Sequence, residues 1–571
     1  MPEYDLSGWI GYVVGGGLKE GLRVRLTVPA EAVQEGGFVV AESGNHQFYG
    51  LVTDIQLGAT DPRFADEQSE ARMPAGLSQL LHGQTLYTNL QVMPALMIES
   101  PAPGSPGYLE WLQELGGKEP KILPVKTIPA HHAPLRLARA EDVASVFGKP
   151  EDKKNFVVGN TREQLHPVCI NLEKFVQRSS GIFGATGTGK SFLTRIILSG
   201  LIHYNKASVL MFDMHNEYAF DDTASDTNLR VPGLRTKFPA RVRVVGLGST
   251  ASIRGRTPDF TLQIAERDIK PEDIELLMRE LNLKETTSTT LDALYKTFGD
   301  DWFHEFKHMR AGATVMDEET GKKIPAPDSV AAWALQEGVN VMAAEGLHNK
   351  MRRVFSLPYV VEEPPKDALN DVILSLKDGK HILLSFGDHD HDLDYLLVTN
   401  LLTRRIRSAW EKMVNEFRSG KNEEPRPLVV AVEEAHKLLN REMAAQTTFS
   451  TIAREMRKYY VTLLIIDQRP SQIYDEVLSQ LGTRISGWLG DDADISAVLS
   501  GLAAKDQLRG MLAHLQPAEE VLLLGWGLPM PIPVRTRRYD DQFWKDLLGE
   551  KAAAAGSRSE KAVLGDFGYD D

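Results

Sequence analysis

The residues Gly184-Ala-Thr-Gly-Thr-Gly-Lys190-Ser191 match G-x-x-x-x-G-K-[ST] at every position, and the expected fold follows from this match. A short apolar run, Gly181–Phe183, precedes it, and Phe192–Gly200 is expected to continue as a helix. Backbone N–H groups of such a loop surround phosphate oxygens, and the helix N-terminus adds a favourable dipole. The predicted phosphate-binding residues are Gly184, Ala185, Thr186, Gly187, Thr188, Gly189, Lys190 and Ser191.

Hydrolysis at such a loop needs a cation, a metal ligand and carboxylates from a second strand. Lys190 is expected to reach the β- and γ-phosphate oxygens of ATP, and Ser191 to ligate Mg²⁺. Glu433 and Glu434 follow the apolar run Leu428–Val432. Because neighbouring side chains on a strand point in opposite directions, we assign Glu433 to the metal side and Glu434 to catalysis. The alternative is a solvated acidic first turn of the next helix.

Two more strand ends carry polar side chains that fit the same site. Asp213 follows the run Ser208–Phe212, with Glu217 four residues later. Gln468 comes shortly after the run Thr462–Ile466. Ligands of open α/β sheets gather at the carboxyl ends of the strands. We therefore expect Gln468 to hydrogen-bond the γ-phosphate or the lytic water, with Asp213 and Glu217 as secondary candidates. Each string alone also fits an ordinary turn.

Arg454 and Arg457 lie between the acidic pair and Gln468, at the three-residue spacing of one helix face. One interpretation is a solvated basic face. The other is an arginine finger that reaches the ATP of a neighbouring subunit, which requires a ring of subunits.

The pattern of apolar, polar and glycine residues changes along the chain. The first part reads as short strands separated by glycines, among them Thr85–Val92 and Ala95–Ile98, and predicts a small β-barrel. Later, apolar strands alternate with helices, which is typical of a parallel sheet covered on both faces. A polar stretch at 58–78 predicts an exposed loop. The expected organisation is a β-barrel at 1–125, a connector at 126–167, an α/β core at 168–267 and 371–540, a helical insertion at 268–370, and a partly mobile extension at 541–571.

Composition narrows the class of protein. The 571 residues are 42% hydrophobic and 25% charged, which excludes a disordered or collagenous chain. The single cysteine, Cys169, excludes an intrachain disulfide, and no apolar run approaches the roughly 18 residues that span a bilayer. With no signal-peptide pattern at Met1–Gly11, we expect a cytoplasmic protein that does not bind membranes. The net charge of −14 means that any DNA-binding surface must be local.

The order of these motifs resembles that of the HerA family of hexameric DNA-translocating ATPases, relatives of the FtsK-type motors. The likeness covers most of the chain, and although each string is weak alone, the ordered set is specific. The strings are the P-loop Gly184–Ser191, D-x-H-x-E-Y at Asp213–Tyr218, E-E-A-H at Glu433–His436, R-x-x-R-K at Arg454–Lys458 and Q-R-P-S at Gln468–Ser471.

Two positions depart from the family pattern. Asn216 stands where D-x-H-G-E-Y has glycine, and Glu433 stands where many P-loop motors have aspartate. Both residues retain polar chemistry, so we expect changes in rate rather than loss of activity.

The resemblance implies a RecA-like P-loop ATPase core behind an N-terminal HAS-type barrel, and a homohexamer that uses ATP and Mg²⁺ and holds duplex DNA in its pore. It implies Arg457, and Arg178 before the P-loop strand, as residues that sense ATP, at least one of them across the subunit interface. The usual partner is the nuclease NurA, with which the motor resects DNA ends for recombinational repair. The resemblance places Lys190, Ser191 and Glu434 in hydrolysis, with Gln468 as the sensor.

Two other functions stay open. Similar ATPases partner sirtuin-type or nuclease effectors in antiphage defence, where the ring acts as a scaffold. A protein-remodelling ring of the AAA type is a third hypothesis, but the Q-R-P-S and E-E-A-H strings do not resemble the sensor motifs of that family. Stimulation of the ATPase by DNA or by protein would separate the third hypothesis from the first.

Overall fold

The computed structural model describes residues 8–60, 86–101, 107–116, 120–223, 230–284, 286–318, 321–389, 391–443, 448–502 and 505–549. The chain divides into two compact units. The first consists of Met1–Phe175, Ile182–Leu193 and Gly482–Arg538, and the second of Val176–Gly181, Thr194–Leu481 and Tyr539–Asp571. The expected loop at 58–78 lies outside the described residues from residue 61 onward, and the expected mobile extension lies outside them from residue 550.

The first unit opens with a closed barrel of six antiparallel strands. Apolar side chains that alternate along the strands fill its interior, as in Val24, Val39 and Leu90, each fully buried. The strands in barrel order are Gly21–Leu26, Gly11–Gly17, Pro134–Leu137, Phe38–Ser43, His46–Ala59 and Leu86–Glu99, with Ile122–Pro124 added at the side of the last.

Two expectations about this barrel are wrong in detail. Pro134–Leu137, in the segment expected to be a connector, is a barrel strand, and its Arg136 is buried in ion pairs with Asp142 at 2.6 Å and Glu42 at 3.0 Å. A buried, paired arginine hides the apolar pattern of that strand. The runs expected as separate strands around Pro94 form one 14-residue strand, because Pro94 lies opposite an irregularity in the neighbouring strand.

The rest of the first unit contains an antiparallel ribbon and short helices. The ribbon strands in order are Thr483–Ser486, Glu520–Gly525, Ile532–Thr536, Asn155–Asn160 and Pro167–Asn171. The helices are Ala30–Ala32 (3-10), Tyr108–Leu115, Ala140–Phe147, Leu172–Val176 (which ends in the second unit), Asp492–Val498 and Lys505–Ala513.

The second unit is built on a parallel sheet whose inner strands are buried along their whole length. This explains why they read as continuous apolar runs: helices cover both faces. The strands in sheet order are Phe260–Leu262, Val242–Leu247, His381–Ser385, Ser208–Asp213, Leu428–Glu433 and Val461–Asp467. Its helices are Lys190–Tyr204 (which starts in the first unit), Leu234–Lys237, Ala368–Lys377, Asp392–Arg418, His436–Leu439, Thr448–Glu455, Met456–Tyr459 (3-10), Pro470–Gln472 (3-10), Asp475–Ser479 and Asp541–Leu548.

The segment 268–370 is mainly helical, as expected. Its aromatic side chains Trp302, Phe303 and Phe306 are fully buried and pack the helices together. The helices there are Glu266–Asp268 (3-10), Pro271–Glu275, Thr287–Phe298, Gly299–Asp301 (3-10), Trp302–His308, Val330–Gln336 and Val341–Phe355. Short strand pairs are Asp222–Thr223 with Arg230–Val231, Ile264–Ala265 with Val360–Val361, and Thr314–Met316 with Lys323–Pro325.

The structure confirms the predicted fold class, a small N-terminal β-barrel followed by an α/β fold with a parallel sheet and additional helices. Its division into core, insertion and connector domains stays a prediction. Within the described part of the chain, no helix has both the length and the apolar composition needed to cross a membrane.

Candidate nucleotide site

The P-loop connects the strand Ser180–Phe183 to the helix Lys190–Tyr204. Its sharp turns depend on Gly187 and Gly189, both with φ of 77°, a conformation that favours glycine. The hydroxyl of Thr188 donates to the main-chain oxygen of Ala185 at 2.7 Å. At Gly184 a Cβ atom would lie 2.5 Å from that hydroxyl oxygen, so a larger residue there would displace the Thr188 side chain.

The loop is anchored within the first unit by main-chain hydrogen bonds. The N–H of Ala185 donates to the oxygen of Trp488 at 3.0 Å, and the N–H of Gly487 donates to the oxygen of Phe183 at 2.9 Å. A 15-residue helix starts at Lys190, and Lys190 and Ser191 are both half-buried at its first turn. This donor-rich loop, with a cation and a hydroxyl at its end, fits a triphosphate and its Mg²⁺.

Glu433 is the last residue of its strand and is held at two points by buried tyrosines. The hydroxyl of Tyr218 donates to Oε1 of Glu433 at 2.6 Å. The hydroxyl of Tyr395 donates to the main-chain oxygen of Glu433, also at 2.6 Å. The carboxylate of Glu433 is therefore a buried, oriented acceptor rather than part of a solvated first helical turn.

Glu434 is the first residue after the strand Leu428–Glu433. Its φ of 45° lies in the left-handed region, which is rare for a residue with a side chain and typical of functional positions. Nε2 of Gln468 donates to Oε1 of Glu434 at 3.3 Å, and Nδ1 of His436 lies 3.6 Å from Oε2. The two neighbouring carboxylates thus face different partners, as expected, but the cause is this turn rather than strand alternation.

Asp467 ends the next strand and fixes the backbone beside Glu434. Its Oδ2 accepts from the main-chain N–H of His436 at 2.8 Å and from the imidazole Nδ1 at 3.0 Å, and its Oδ1 accepts from the N–H of Arg469 at 2.7 Å. The hydrogen bond to Asp467 raises the pKa of His436 above its usual value. Burial alone would raise the pKa of Asp467, but the His436 contact leaves it lowered.

The segment after Asp213 is a tight turn. The carboxylate of Asp213 accepts from the N–H groups of Glu217 at 2.8 Å and Tyr218 at 3.0 Å, and burial raises its pKa to about 6. Asn216 has a φ of 56°, so the asparagine retains the left-handed backbone that favours glycine. Its side chain also bonds to the end of the neighbouring strand: Nδ2 donates to the oxygen of Gly387 at 3.1 Å, and Oδ1 accepts from the N–H of Gly387 at 3.2 Å.

The structure places the two arginines in adjoining segments. Arg454 lies in the helix Thr448–Glu455 and contacts Glu476 at 3.5 Å, whereas Arg457 lies in the 3-10 turn that follows directly. Their expected common face stays a prediction. Both side chains are exposed, and Arg178 is half-buried just before the strand Ser180–Phe183.

The parallel sheet brings most of the predicted carboxylates and the sensor to one edge. Strands ending at Asp213, Glu433 and Asp467 are neighbours in parallel register, so their carboxyl ends coincide. The P-loop residues belong to the first unit, and the roles proposed for all these residues stay predictions.

Sequence reasoning missed four residues that contact this edge. Tyr218 and His436 lie inside strings that were recognised, and Asp467 ends an apolar run, which is the signal that drew attention to Asp213. Tyr395 lies within a 27-residue helix and carries no comparable signal. Its contact depends on how that helix packs against the sheet.

Comparison with known proteins supports the resemblance seen in the motifs. A family model described as the central domain of the helicase HerA matches residues 156–406. The chain is 24% identical over 542 residues to the DNA double-strand break repair helicase HerA of Sulfolobus acidocaldarius, covering 94% of each. It is also 24% identical over 569 residues to the protein of the same name from Saccharolobus solfataricus, covering 98% of this chain and 99% of that one.

Similar solved structures are more distant. VirB4 of Thermoanaerobacter pseudethanolicus is 15% identical with a TM-score of 0.40, covering 68% of this chain and 97% of that one. The bacterial conjugative coupling protein TrwB is 14% identical with a TM-score of 0.42, covering 70% of this chain and 92% of that one.

Proposed function

We propose that this chain is a member of the HerA family of P-loop ATPases and that it acts as an ATP-driven translocase of double-stranded DNA. One observation carries the proposal. A complete P-loop occurs together with a buried Glu433 and a Glu434–Gln468 contact, in a chain that matches relatives named DNA double-strand break repair helicases over nearly their full length. The left-handed backbone of Glu434 is a conformation that clusters at functional sites, which favours a catalytic role.

Each of these residues has its own role in the proposed hydrolysis. Lys190 would bind the β- and γ-phosphate oxygens of ATP, and Ser191 and Glu433 would hold Mg²⁺, Glu433 through a water. Bound Mg²⁺ neutralises charge on the phosphates. Glu434 accepts the proton of the water that attacks the γ-phosphorus, and the products are ADP and phosphate. Gln468 orients that water or the γ-phosphate.

The assembly proposed is a homohexamer with duplex DNA in its pore and ATP sites between subunits. Arg457, and Arg178 near the P-loop, would sense ATP, at least one of them from a neighbouring subunit. A ring also accommodates the charge of −14, because an acidic exterior is compatible with a basic lumen, where a few residues per subunit are multiplied by symmetry. A channel that is acidic throughout would contradict this arrangement.

The proposed cellular role is DNA end resection with a NurA-type nuclease in recombinational repair, in the cytoplasm. Its test is reconstitution with a NurA-type nuclease. The pair should co-elute and degrade linear duplex DNA only with ATP, whereas the same mixture containing Lys190→Ala should not. Failure of the wild-type mixture to co-elute would contradict this partner.

The central experiment is the ATPase rate with and without linear duplex DNA, with the mass of the oligomer measured on the same sample by light scattering. We expect a hexamer whose rate rises several-fold with duplex DNA. Lys190→Ala should be inactive, and Lys545→Ala, a change at an exposed lysine outside the site, should behave as wild type. An active hexamer indifferent to DNA would contradict the translocase and favour a scaffold for an effector protein.

A further inference from the structure

Two buried phenols converge on Glu433, one on its side chain and one on its backbone. Tyr218 and Tyr395 are both fully buried, and Glu433 is only 6% exposed. An O–H to carboxylate contact of 2.6 Å, as between Tyr218 and Oε1, is the short distance of a charge-assisted hydrogen bond. Burying a carboxylate is costly unless hydrogen bonds compensate. The Tyr218 contact is one such compensation, and it also fixes the rotation of the carboxylate.

The position of Tyr218 is itself fixed by the turn that precedes it. The buried carboxylate of Asp213 binds the N–H group of Tyr218 at 3.0 Å. Asn216, in the left-handed conformation, attaches the same turn to Gly387 through both ends of its amide. The hydroxyl is therefore presented by a rigid turn rather than by a mobile loop.

The phenol is suited to act as a neutral donor. Its O–H donates a hydrogen bond to Oε1 of Glu433, and a tyrosine hydroxyl is neutral at physiological pH because its ordinary pKa is about 10. No proton transfer is needed for this role.

We propose that Tyr218 is a positioning residue for metal binding: its hydroxyl holds the Glu433 carboxylate in the orientation that receives the magnesium of Mg–ATP. The inference rests on the proposed function, since it assigns Glu433 to the metal. It also accounts for glutamate at a position where many P-loop motors have aspartate. The longer side chain reaches the Tyr218 hydroxyl, whereas an aspartate carboxylate would lie one methylene short of it.

The chain offers a matched control for removal of a buried hydroxyl. Tyr359 is also fully buried, and its hydroxyl donates to the buried carboxylate of Asp394 at 2.5 Å. Tyr359→Phe therefore removes the same atom and the same kind of hydrogen bond as Tyr218→Phe, but the carboxylate that loses it is Asp394 rather than Glu433. General loss of stability would affect both variants alike.

The test is a Mg²⁺ titration of the full chain, read first by binding of a fluorescent non-hydrolysable ATP analogue and then by ATPase rate. Loss of a residue that orients a metal ligand typically costs ten- to a hundredfold in metal affinity or activity. Because Glu433 acts through a water, we expect the half-saturating Mg²⁺ concentration of Tyr218→Phe to rise about tenfold, at the low end of that range. Tyr359→Phe should titrate as wild type. Equal titrations of Tyr218→Phe and wild type would overturn the proposal.

A second variant tests the same contact from the other side. Glu433→Asp withdraws the carboxylate from the hydroxyl and should raise the Mg²⁺ requirement as Tyr218→Phe does. In the Glu433→Asp background, Tyr218→Phe should add little, because the contact is already lost. Independent, additive effects would overturn the proposal even if Tyr218→Phe alone were poorly folded. A wild-type chain that binds the analogue with Mg²⁺ but never hydrolyses ATP would contradict the proposed function, while the binding titrations would still decide the role of Tyr218.

Discussion

Nε2 of Gln468 donates a hydrogen bond to Oε1 of Glu434 at 3.3 Å, so the predicted sensor and the predicted catalytic carboxylate are in direct contact. The two residues follow neighbouring parallel strands, Val461–Asp467 and Leu428–Glu433. Under the proposed roles, a γ-phosphate or lytic water that recruits the Gln468 amide would compete with this contact. Nucleotide state and the freedom of the Glu434 carboxylate would then be coupled through this hydrogen bond.

Replacing Glu434 by glutamine should stop turnover and leave nucleotide binding intact. The amide keeps the size of the side chain but is no base, and a positioned general base typically contributes 10²- to 10⁴-fold. We expect the ATPase rate of Glu434→Gln to fall at least about 100-fold, with the affinity for the ATP analogue changed less than about threefold. Glu423→Gln, at an exposed glutamate, is the control. Near-wild-type hydrolysis by Glu434→Gln would mean that the roles of Glu433 and Glu434 are reversed.

Replacing Gln468 by alanine should lower turnover by about tenfold or more, since a water or phosphate loses its orienting partner. Binding of the analogue should change little. Gln472→Ala, four residues later in an exposed position, provides a matched loss of an amide and should keep the wild-type rate. If both variants hydrolyse ATP equally well, Gln468 is a structural neighbour of Glu434 and not a sensor.

The sequence was sufficient for the fold class and for the residues at the strand ends, because both depend on local patterns. Continuous apolar runs mark strands covered on both faces, and polar residues directly after them mark the ligand edge of the sheet. The barrel strand Pro134–Leu137 could not be recognised in this way, because a charged residue, Arg136, interrupts its apolar pattern. Arg136 is paired with Asp142 and Glu42, which come from separate elements. No local pattern contains that pairing.

The contacts between side chains could not be predicted from the sequence either. Tyr218 and Glu433 are 215 positions apart, and Tyr395 meets the backbone of Glu433 only because its helix packs on the sheet. The left-handed backbone of Glu434 has no sequence signal, since nothing but tertiary structure selects it for a glutamate. These contacts decide how the carboxylates are oriented, whereas the motifs decide only that carboxylates are present.

Arg457 is the stronger of the two arginine-finger candidates, because Arg454 already contacts Glu476. An arginine finger typically contributes 10³- to 10⁵-fold to turnover. We expect Arg457→Ala to lower the ATPase rate of the assembled protein at least about 100-fold without changing its oligomer mass. Lys458→Ala removes the adjacent exposed cation and should have little effect. Undiminished ATPase in assembled Arg457→Ala would refute the finger.

Asn216 combines two stabilising features that substitution can separate. Asn216→Gly removes the amide contacts to Gly387 but leaves a residue that adopts the left-handed backbone without strain. Asn216→Ala removes the same contacts and also strains the backbone, by roughly 1 kcal/mol more. The apparent unfolding temperature should therefore fall for glycine and fall by about a further 1 °C for alanine. Asn282→Gly, at an exposed residue with φ of 50°, should be neutral. Equal values for Asn216→Gly and Asn282→Gly would show that the Gly387 contacts do not stabilise the fold.

Because of His436, the stability of the protein should depend on pH at pH values above the range in which an ordinary histidine titrates. The Asp467 hydrogen bond raises the pKa of His436 above the value of 6.5 expected in the unfolded chain, and Glu434 raises it further while Lys437 opposes this. The folded state therefore binds the proton more tightly than the unfolded state. The stabilisation is complete below pH 6.5 and is lost as the pH rises through the higher folded-state value. Asp467, whose pKa is lowered below 3.8, contributes its pH dependence only in acid.

His436→Asn separates the charge from the hydrogen bond, because the asparagine Nδ2 can replace the imidazole Nδ1 as donor to Asp467 but does not titrate. Between pH 6 and pH 9, the apparent unfolding temperature of the wild type should fall more than that of His436→Asn, measured at one scan rate. All other titrating residues are common to both proteins, so the difference reports His436 together with its effect on the pKa of Asp467. Parallel pH profiles would mean that the imidazolium does not stabilise the fold, and would leave the neutral hydrogen bond to Asp467 as the contact that orients the backbone next to Glu434.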